Sequence, residues 1–195
     1  MAFSEEENKK IREDLIAEAR ARALTLGMRK TSVEELTEAV GISKGSFYKY
    51  FDSKELLFFT VLEEIHSELY AVAKETLERC VSLPASERTT ETLLAVCRRL
   101  SETGAMRFVE SDAELILHRI PENIKNEHYH DDETHITELL REGGLSPSGG
   151  AELAAATVRG LILTVSHQNE IGEQYLAVLR ILVHGAMREL FPETS

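Results

Sequence analysis

Tryptophan is absent from this 195-residue sequence, and cysteine and proline are scarce, with two and four copies. The cysteines, Cys80 and Cys97, are too few for a disulfide framework and match no metal-binding spacing, which indicates a reducing compartment. No apolar run reaches the roughly 18 residues of a membrane span, and MAFSEEENKK has no secretory signal pattern. We therefore expect a cytoplasmic protein and not a secreted or membrane-spanning one.

Positive charge is also in short supply. Lys and Arg number 22 against 34 Asp and Glu, a net charge of −12, which argues against a protein that coats nucleic acid by bulk electrostatics. Residues 1–60 are nearly neutral, with 10 basic and 11 acidic side chains, so almost all the excess acid lies after residue 60. A local basic surface near the N-terminus can therefore still bind an anion.

Alternating strand patterns are missing, and helical periodicity predicts an all-α fold of about nine helices. A helix is expected over 5–26 and a long amphipathic helix over 54–81. A glycine-rich break at 143–150 precedes two final helices, over 151–168 and 172–190. We expect two domains, 1–53 and 54–195.

One stretch combines helix caps, a tight turn and basic residues. Its sequence, TSVEELTEAVGISKGSFYKYFDSK, begins at Thr31. Either Thr31 or Ser32 can cap a short helix, and Glu35 is placed to complete a capping box. Gly41 suits a tight turn, and Ser43 can cap a second short helix. Two short helices joined in this way form a helix-turn-helix.

This stretch resembles the DNA-binding head of the TetR family of transcriptional regulators. The features that carry the resemblance, within residues 11–60, are Ser-Lys-Gly-Ser at the opening of the second helix, Tyr and Phe at its end, and Ser-Lys before the next helix. The resemblance implies a three-helix head followed by a helical effector-binding and dimerisation domain. It also implies DNA contacts at Thr31, Ser32, Lys44, Gly45, Ser46, Tyr48, Lys49 and Lys54, to which the hydroxyl chemistry of Ser43 adds a ninth.

The chemistry of the second helix agrees with that expectation. Between Gly41 and Phe51 the sequence has two lysines and no acid. The first residues of such a helix reach base edges in a major groove, and Lys44 can donate to guanine. Tyr48 and Lys49 can hold phosphates, as can the helix start at Lys54. The alternative is that the motif only packs, with its lysines forming a solvated face.

The resemblance implies a ligand-relieved repressor that binds a palindromic operator as a homodimer. In two alternatives the helix-turn-helix is vestigial. The protein is then either a helical protein-interaction adaptor or an enzyme that modifies a small molecule. No nucleophile signature, phosphate-binding loop or dinucleotide fingerprint is present, so an enzyme is not expected, and neither is a cofactor.

Mixed apolar and polar positions between Tyr70 and Leu140 are expected to line an effector cavity. Because the chain after the head is acidic, the expected ligand is neutral and largely apolar, or cationic. The candidate lining residues are Tyr70, Cys97, Phe108, Leu115, His118 and Tyr129.

The two final helices carry apolar faces with small residues, which predicts a homodimer closed by a four-helix bundle. The alternative is that these faces are intramolecular core. The candidate interface residues are Leu153, Ala156, Gly160, Leu161, Thr164, Val165, Leu176, Leu179, Leu182, Val183, Ala186 and Leu190.

A histidine-rich segment is a weak candidate for a metal site. His128, Asp132 and His135 share one helical face and could hold a zinc-like ion if a further ligand closed the site. We favour the alternative, a solvated polar face in an acidic region, and expect no metal.

Overall fold

The computed structural model describes residues 4–192, apart from the side chains at positions 129–133. Within that part every regular element is helical and no strand occurs, which confirms the predicted all-α fold. In chain order the elements are α1 (Glu5–Thr25), α2 (Val33–Val40), α3 (Lys44–Phe47), α4 (Lys54–Arg79), α5 (Ala85–Thr103), α6 (Ala105–Phe108), a π-helical turn (Val109–Ala113), α7 (Glu114–Arg119), α8 (Glu122–Glu142), α9 (Gly150–Leu163), a 3₁₀ turn (Thr164–His167), α10 (Gln168–Ile171), a second 3₁₀ turn (Gly172–Gln174) and α11 (Tyr175–Leu190).

The chain folds into two compact units that do not divide at residue 53, where the sequence placed the boundary. The first unit holds the chain up to His66 together with Thr103–Glu122, and the second holds Ser67–Glu102 and the chain from Asn123 onward. The boundary moves because the first turns of α4 supply apolar side chains to the core of the first unit. Those buried side chains are Leu57, Phe58, Val61, Leu62 and Ile65.

In the core of the first unit, the helices from α1 through α4 pack together with the segment that follows α5. Leu15 of α1, Phe47 at the end of α3 and Ile116 of α7 are all fully buried. The rings of Phe58 and Phe108 meet with their centroids 6.1 Å apart at an interplanar angle of 45°. The DNA-binding motif predicted from the sequence therefore shares one apolar core with residues far along the chain.

The side chains of Lys54 and Asp112 form hydrogen bonds with backbone polar groups of the loop between α1 and α2. The ammonium of Lys54 donates to the carbonyl oxygens of Met28 and Thr31, at 2.9 and 2.7 Å. The N–H of Met28 donates to the Asp112 carboxylate at 2.8 Å. Because a buried backbone group without a partner is costly, these contacts fix where α2 begins.

The second unit is tied together at its loops. Arg88 of α5 donates to the carbonyl oxygen of Leu77 and to that of Gly143, each at 2.7 Å. The predicted glycine-rich break is the connection from α8 to α9, and the N–H of Ser148 within it donates to the carbonyl oxygen of Leu190 at 2.6 Å. In the described residues no helix is both long and apolar enough to cross a membrane.

Candidate nucleic-acid interface

The start of α2 is fixed by a reciprocal pair of hydrogen bonds. The Ser32 hydroxyl accepts from the N–H of Glu35 at 3.2 Å, and the Glu35 carboxylate accepts from the N–H of Ser32 at 2.8 Å. These bonds lower the pKa of the Glu35 carboxyl, the largest effect coming from the Ser32 backbone N–H. The capping box predicted from the sequence is thus formed with Ser32, and not Thr31, as its N-cap.

The turn and the start of α3 follow from two local features. Gly41 has φ +76, a left-handed conformation that an L side chain rarely adopts, and it ends α2. The Ser43 hydroxyl then accepts from the N–H of Ser46 at 3.2 Å, and the two serine hydroxyls lie 2.8 Å apart. One turn of helix begins there, with its first residues facing solvent.

Aromatic packing decides which side of α3 is exposed. Phe47 is fully buried, and the centroid of its ring lies 6.1 Å from the centroid of the Phe51 ring. The Tyr48 ring meets Phe47 edge-on at 5.3 Å, yet 52% of Tyr48 stays exposed. The exposed edge that results, here called the recognition edge, consists of Ser43, Lys44, Gly45, Ser46, Tyr48 and Lys49, of which Ser46 is half-buried.

The two lysines of the recognition edge differ in their partners. Lys44 forms an exposed ion pair with Glu34 of α2, which lowers the pKa of the Glu34 carboxyl and raises that of the Lys44 ammonium. The side chain of Lys49 has no ion pair or hydrogen bond within the described part of the chain. DNA would therefore have to displace Glu34 from Lys44, whereas Lys49 is available without competition.

Two of the predicted DNA contacts, Thr31 and Lys54, already have hydrogen-bond partners within the protein, and their contact with DNA stays a prediction. Thr31 is only 2% exposed, and its hydroxyl donates to the carbonyl oxygen of Gly27 at 2.9 Å. Lys54 is half-buried, and its ammonium donates two of its three protons in hydrogen bonds to the carbonyl oxygens of Met28 and Thr31. Both residues hold the α1–α2 loop.

Two basic residues on that loop were missed by the sequence reasoning. Arg29 and Lys30 are exposed directly before the Ser32 cap, so their cationic side chains lie near the start of α2. The Arg29 side chain keeps 63% of its surface exposed although its Nε lies 3.5 Å from a carboxylate oxygen of Asp112. The signal that could have found them is a pair of basic residues immediately before a helix cap.

Comparison with known proteins identifies this arrangement. The model for the tetR family of bacterial regulatory proteins matches residues 15–61. Residues 15–61 of this chain are therefore similar to the bacterial regulatory proteins of the tetR family.

Two related proteins match this chain over stretches longer than the range of the family model. The transcriptional repressor DhaR of Mycobacterium sp. (strain GP1) is 31% identical over 96 residues, which cover 49% of this chain and 48% of that protein. The nucleoid occlusion factor SlmA of Shewanella pealeana is 29% identical over 147 residues, covering 72% and 70%. The match to DhaR therefore spans about half the length of that repressor.

Among solved structures, the transcriptional regulator FadR of Bacillus subtilis, in complex with stearoyl-CoA, has a similar fold. Its TM-score with this chain is 0.59 at 17% identity, and the match covers 91% of this chain and 98% of the FadR chain. At that identity the likeness establishes the fold alone. It does so over a much longer part of the chain than residues 15–61.

The predicted effector residues are divided between the two units. Phe108, Leu115 and His118 belong to the first unit, where Phe108 is core and His118 is exposed. Tyr70 and Cys97 belong to the second unit, where burial of the Cys97 thiol raises its pKa to about 12. The Tyr129 side chain lies outside the described residues. That these residues line one effector site stays a prediction.

A pocket of about 210 Å³ in the second unit includes one of those candidates. The rings of Tyr70 and His135 stand 4.7 Å apart at its wall, and Lys74 and Glu142 pair at 2.9 Å. His135 is thus placed beside an aromatic ring, His128 is buried, and Asp132 lies outside the described side chains. The lining residues are Tyr70, Ala71, Lys74, His135, Glu138, Leu139 and Glu142.

The predicted dimer residues divide by burial. Five of them are core residues of the protomer, because α9 and α11 pack against each other within the second unit, and the interface prediction is corrected to leave these out: Leu161, Val165, Leu179, Val183 and Leu190. The remaining seven are exposed or half-buried, namely Leu153, Ala156, Gly160, Thr164, Leu176, Leu182 and Ala186.

Replacing Lys49 by Ala is expected to weaken binding to all DNA sequences, because its ammonium is free to contact a phosphate. Loss of one such contact should reduce the slope of log affinity against log salt by ~0.9. Fluorescence anisotropy over a salt series measures the slope, with Arg79→Ala, the loss of an exposed charge in the second unit, as the control. An unchanged slope and affinity for Lys49→Ala would remove Lys49 from the interface.

Replacing Glu34 by Gln is expected to strengthen DNA binding by about two- to fivefold, because it frees Lys44 from an exposed ion pair. Glu38→Gln is the matched control, since it removes the same charge from an exposed position of α2 that has no ion pair with Lys44. Equal gains for the two variants would show that only overall charge matters, and that the Glu34 pair does not restrain Lys44.

Proposed function

We propose that the chain is a transcriptional repressor that binds a palindromic operator as a homodimer and is released by a small ligand. The observation that carries the DNA-binding part is the recognition edge, which offers hydroxyls, a glycine and two lysines on one exposed turn of helix. Phosphate contacts from Tyr48 and Lys49 would set the register, while Lys44 and Ser46 would reach base edges. The repressor named DhaR among the relatives supports this direction of regulation.

The homodimer is supported by two exposed apolar stripes. On α9 the stripe contains Leu153, Ala156, Gly160 and Leu163, and a Cβ added at Gly160 would meet no atom within 4 Å. On α11 it contains Ile181, Leu182, Gly185 and Ala186, beside the buried stripe of that helix. Small residues at the centre of a stripe allow a second helix pair to approach closely, which suits a four-helix bundle across a twofold axis.

Operator selection tests the proposal as a whole. A symmetric dimer must place two recognition edges about 34–36 Å apart to enter successive major grooves. Selection of bound duplexes from a random pool should therefore return an inverted repeat with half-site centres about one helical turn, or a multiple of it, apart. Recovery of no preferred sequence would contradict sequence-specific repression.

Charges placed on the exposed stripes are expected to yield monomers that bind the operator poorly. Gly160→Glu and Leu182→Glu each put a carboxylate where an apolar contact is proposed, and an unpaired buried charge is strongly unfavourable. Val81→Glu is the control, because Val81 is 68% exposed and lies outside both stripes. Sedimentation velocity separates the outcomes, and a wild-type monomer at micromolar concentration would end the dimer proposal.

The ligand proposed here is a small cation with a short apolar part. The pocket beside Tyr70 is lined by the aromatic side chains of Tyr70 and His135 and by Glu138, while Glu142 is paired with Lys74. Aromatic faces and carboxylates attract a cation. The FadR structure holds stearoyl-CoA, but two carboxylates at this pocket disfavour phosphate groups. Because α4 is one continuous helix that contributes to both units, it is the covalent route by which ligand binding would reach the head.

Ligand and operator are expected to weaken each other's binding by the same factor, typically ~5–150-fold. Denaturing mass spectrometry of small molecules that copurify with the protein supplies the candidate, and calorimetric titration with and without operator measures the factor. Glu138→Gln should weaken ligand binding, whereas Glu75→Gln, an exposed carboxylate of α4 outside the pocket lining, should not. Equal affinities in the two titrations would show that the ligand does not regulate DNA binding.

A further inference from the structure

Asp112 has a buried carboxylate and does not belong to the recognition edge. It is 1% exposed, and its Oδ2 accepts the Met28 N–H at 2.8 Å. Its Oδ1 accepts no hydrogen bond from the described residues and lies 3.5 Å from Nε of Arg29. A buried carboxylate is expensive to keep ionised unless it makes such contacts, so its placement calls for an explanation.

The segment that carries Asp112 is anchored to α4 on both sides. Before it, the Phe108 ring packs on Phe58, and after it, Arg119 of α7 pairs with Glu55 at 3.0 Å. Between these anchors the chain makes the π-helical turn Val109–Ala113. A π turn accommodates one extra residue, and each residue of an α-helix turns the chain by about 100°, so a regular helix would aim residue 112 elsewhere.

The loop side of the contact is equally restricted. Gly27 has φ +83, and a Cβ at that position would lie 2.6 Å from Oδ2 of Asp112, so no other residue allows the same approach without displacement. Met28 is held by Asp112 at its N–H and by Lys54 at its carbonyl oxygen. The helix α2 starts directly after this loop and packs against α3.

We propose that Asp112 is a positioning residue for DNA binding: through the Met28 N–H it holds the α1–α2 loop, and with it α2 and the recognition edge, in the arrangement that fits DNA. The inference rests on the DNA-binding function proposed above. Without the carboxylate the loop samples other positions, and the apparent dissociation constant rises by the inverse of the fraction that stays competent. Asp112 itself touches no DNA, so the salt slope is unchanged.

Three variants test the role. Asp112→Ala removes the acceptor and should weaken operator binding by about tenfold or more at an unaltered salt slope. Asp112→Asn keeps a carbonyl oxygen for the Met28 N–H and should restore binding to within about threefold of wild type. Ile116→Val, a fully buried change in α7 on the same segment, should lower the melting temperature while leaving operator affinity intact.

Hydrogen exchange at single amides supplies a readout that does not need DNA. In Asp112→Ala the Met28 amide should exchange at least about tenfold faster than in wild type, and in Ile116→Val it should not. If Asp112→Ala does not fold, Gly27→Ala displaces the same carboxylate. Gly144→Ala is its control, because Gly144 has a positive φ of +65 and open space around it, and it belongs to the second unit.

The outcomes are distinguishable. If Asp112→Ala binds the selected operator as tightly as wild type, or if Asp112→Asn fails as badly as Asp112→Ala, the positioning role is wrong while DNA binding stands. If the wild-type chain selects no DNA, the proposed function fails. In that case unchanged Met28 exchange in Asp112→Ala would overturn the link to the loop as well, and faster exchange would support it.

Discussion

The arrangement of the head depends on satisfying the backbone of one short loop. Between α1 and α2, the carbonyl oxygens of Met28 and Thr31 meet the Lys54 ammonium, and the Met28 N–H meets the Asp112 carboxylate. Met28 and Thr31 are buried, so without these two charged side chains their backbone polar groups would lack partners. Because α2 begins immediately afterwards, the loop determines where the recognition edge is presented.

Features that depend on neighbours in sequence could be predicted, and those that depend on distant residues could not. The Ser32–Glu35 box and the Ser43–Ser46 cap use partners three residues apart, so local spacing contains the whole interaction. Thr31 and Lys54 look like phosphate ligands for the same local reason. The Lys54 ammonium instead bonds loop carbonyls that only tertiary packing brings within reach, whereas the Thr31 hydroxyl bonds the carbonyl oxygen of Gly27 within the same loop.

Longer-range features left no signal in the pattern of residues. Asp112 lies 84 positions from Met28, and nothing in its surrounding sequence distinguishes it from other acids. Periodicity located α9 and α11 but could not separate the stripe that is buried within the protomer from the adjacent stripe that stays exposed, because both are apolar. The same limit applies to the domain boundary, since α4 is one uninterrupted amphipathic helix.

A structure of the full chain bound to a selected operator duplex tests the central claim most directly. We predict that the first residues of α3 lie in the major groove, that Tyr48 and Lys49 contact phosphates, and that Lys44 has left Glu34. Thr31, Lys54 and Asp112 should keep the bonds that they make to the loop in the free protein. A complex in which α3 lies outside the groove, or in which Lys54 leaves the loop to bind a phosphate, would contradict the account.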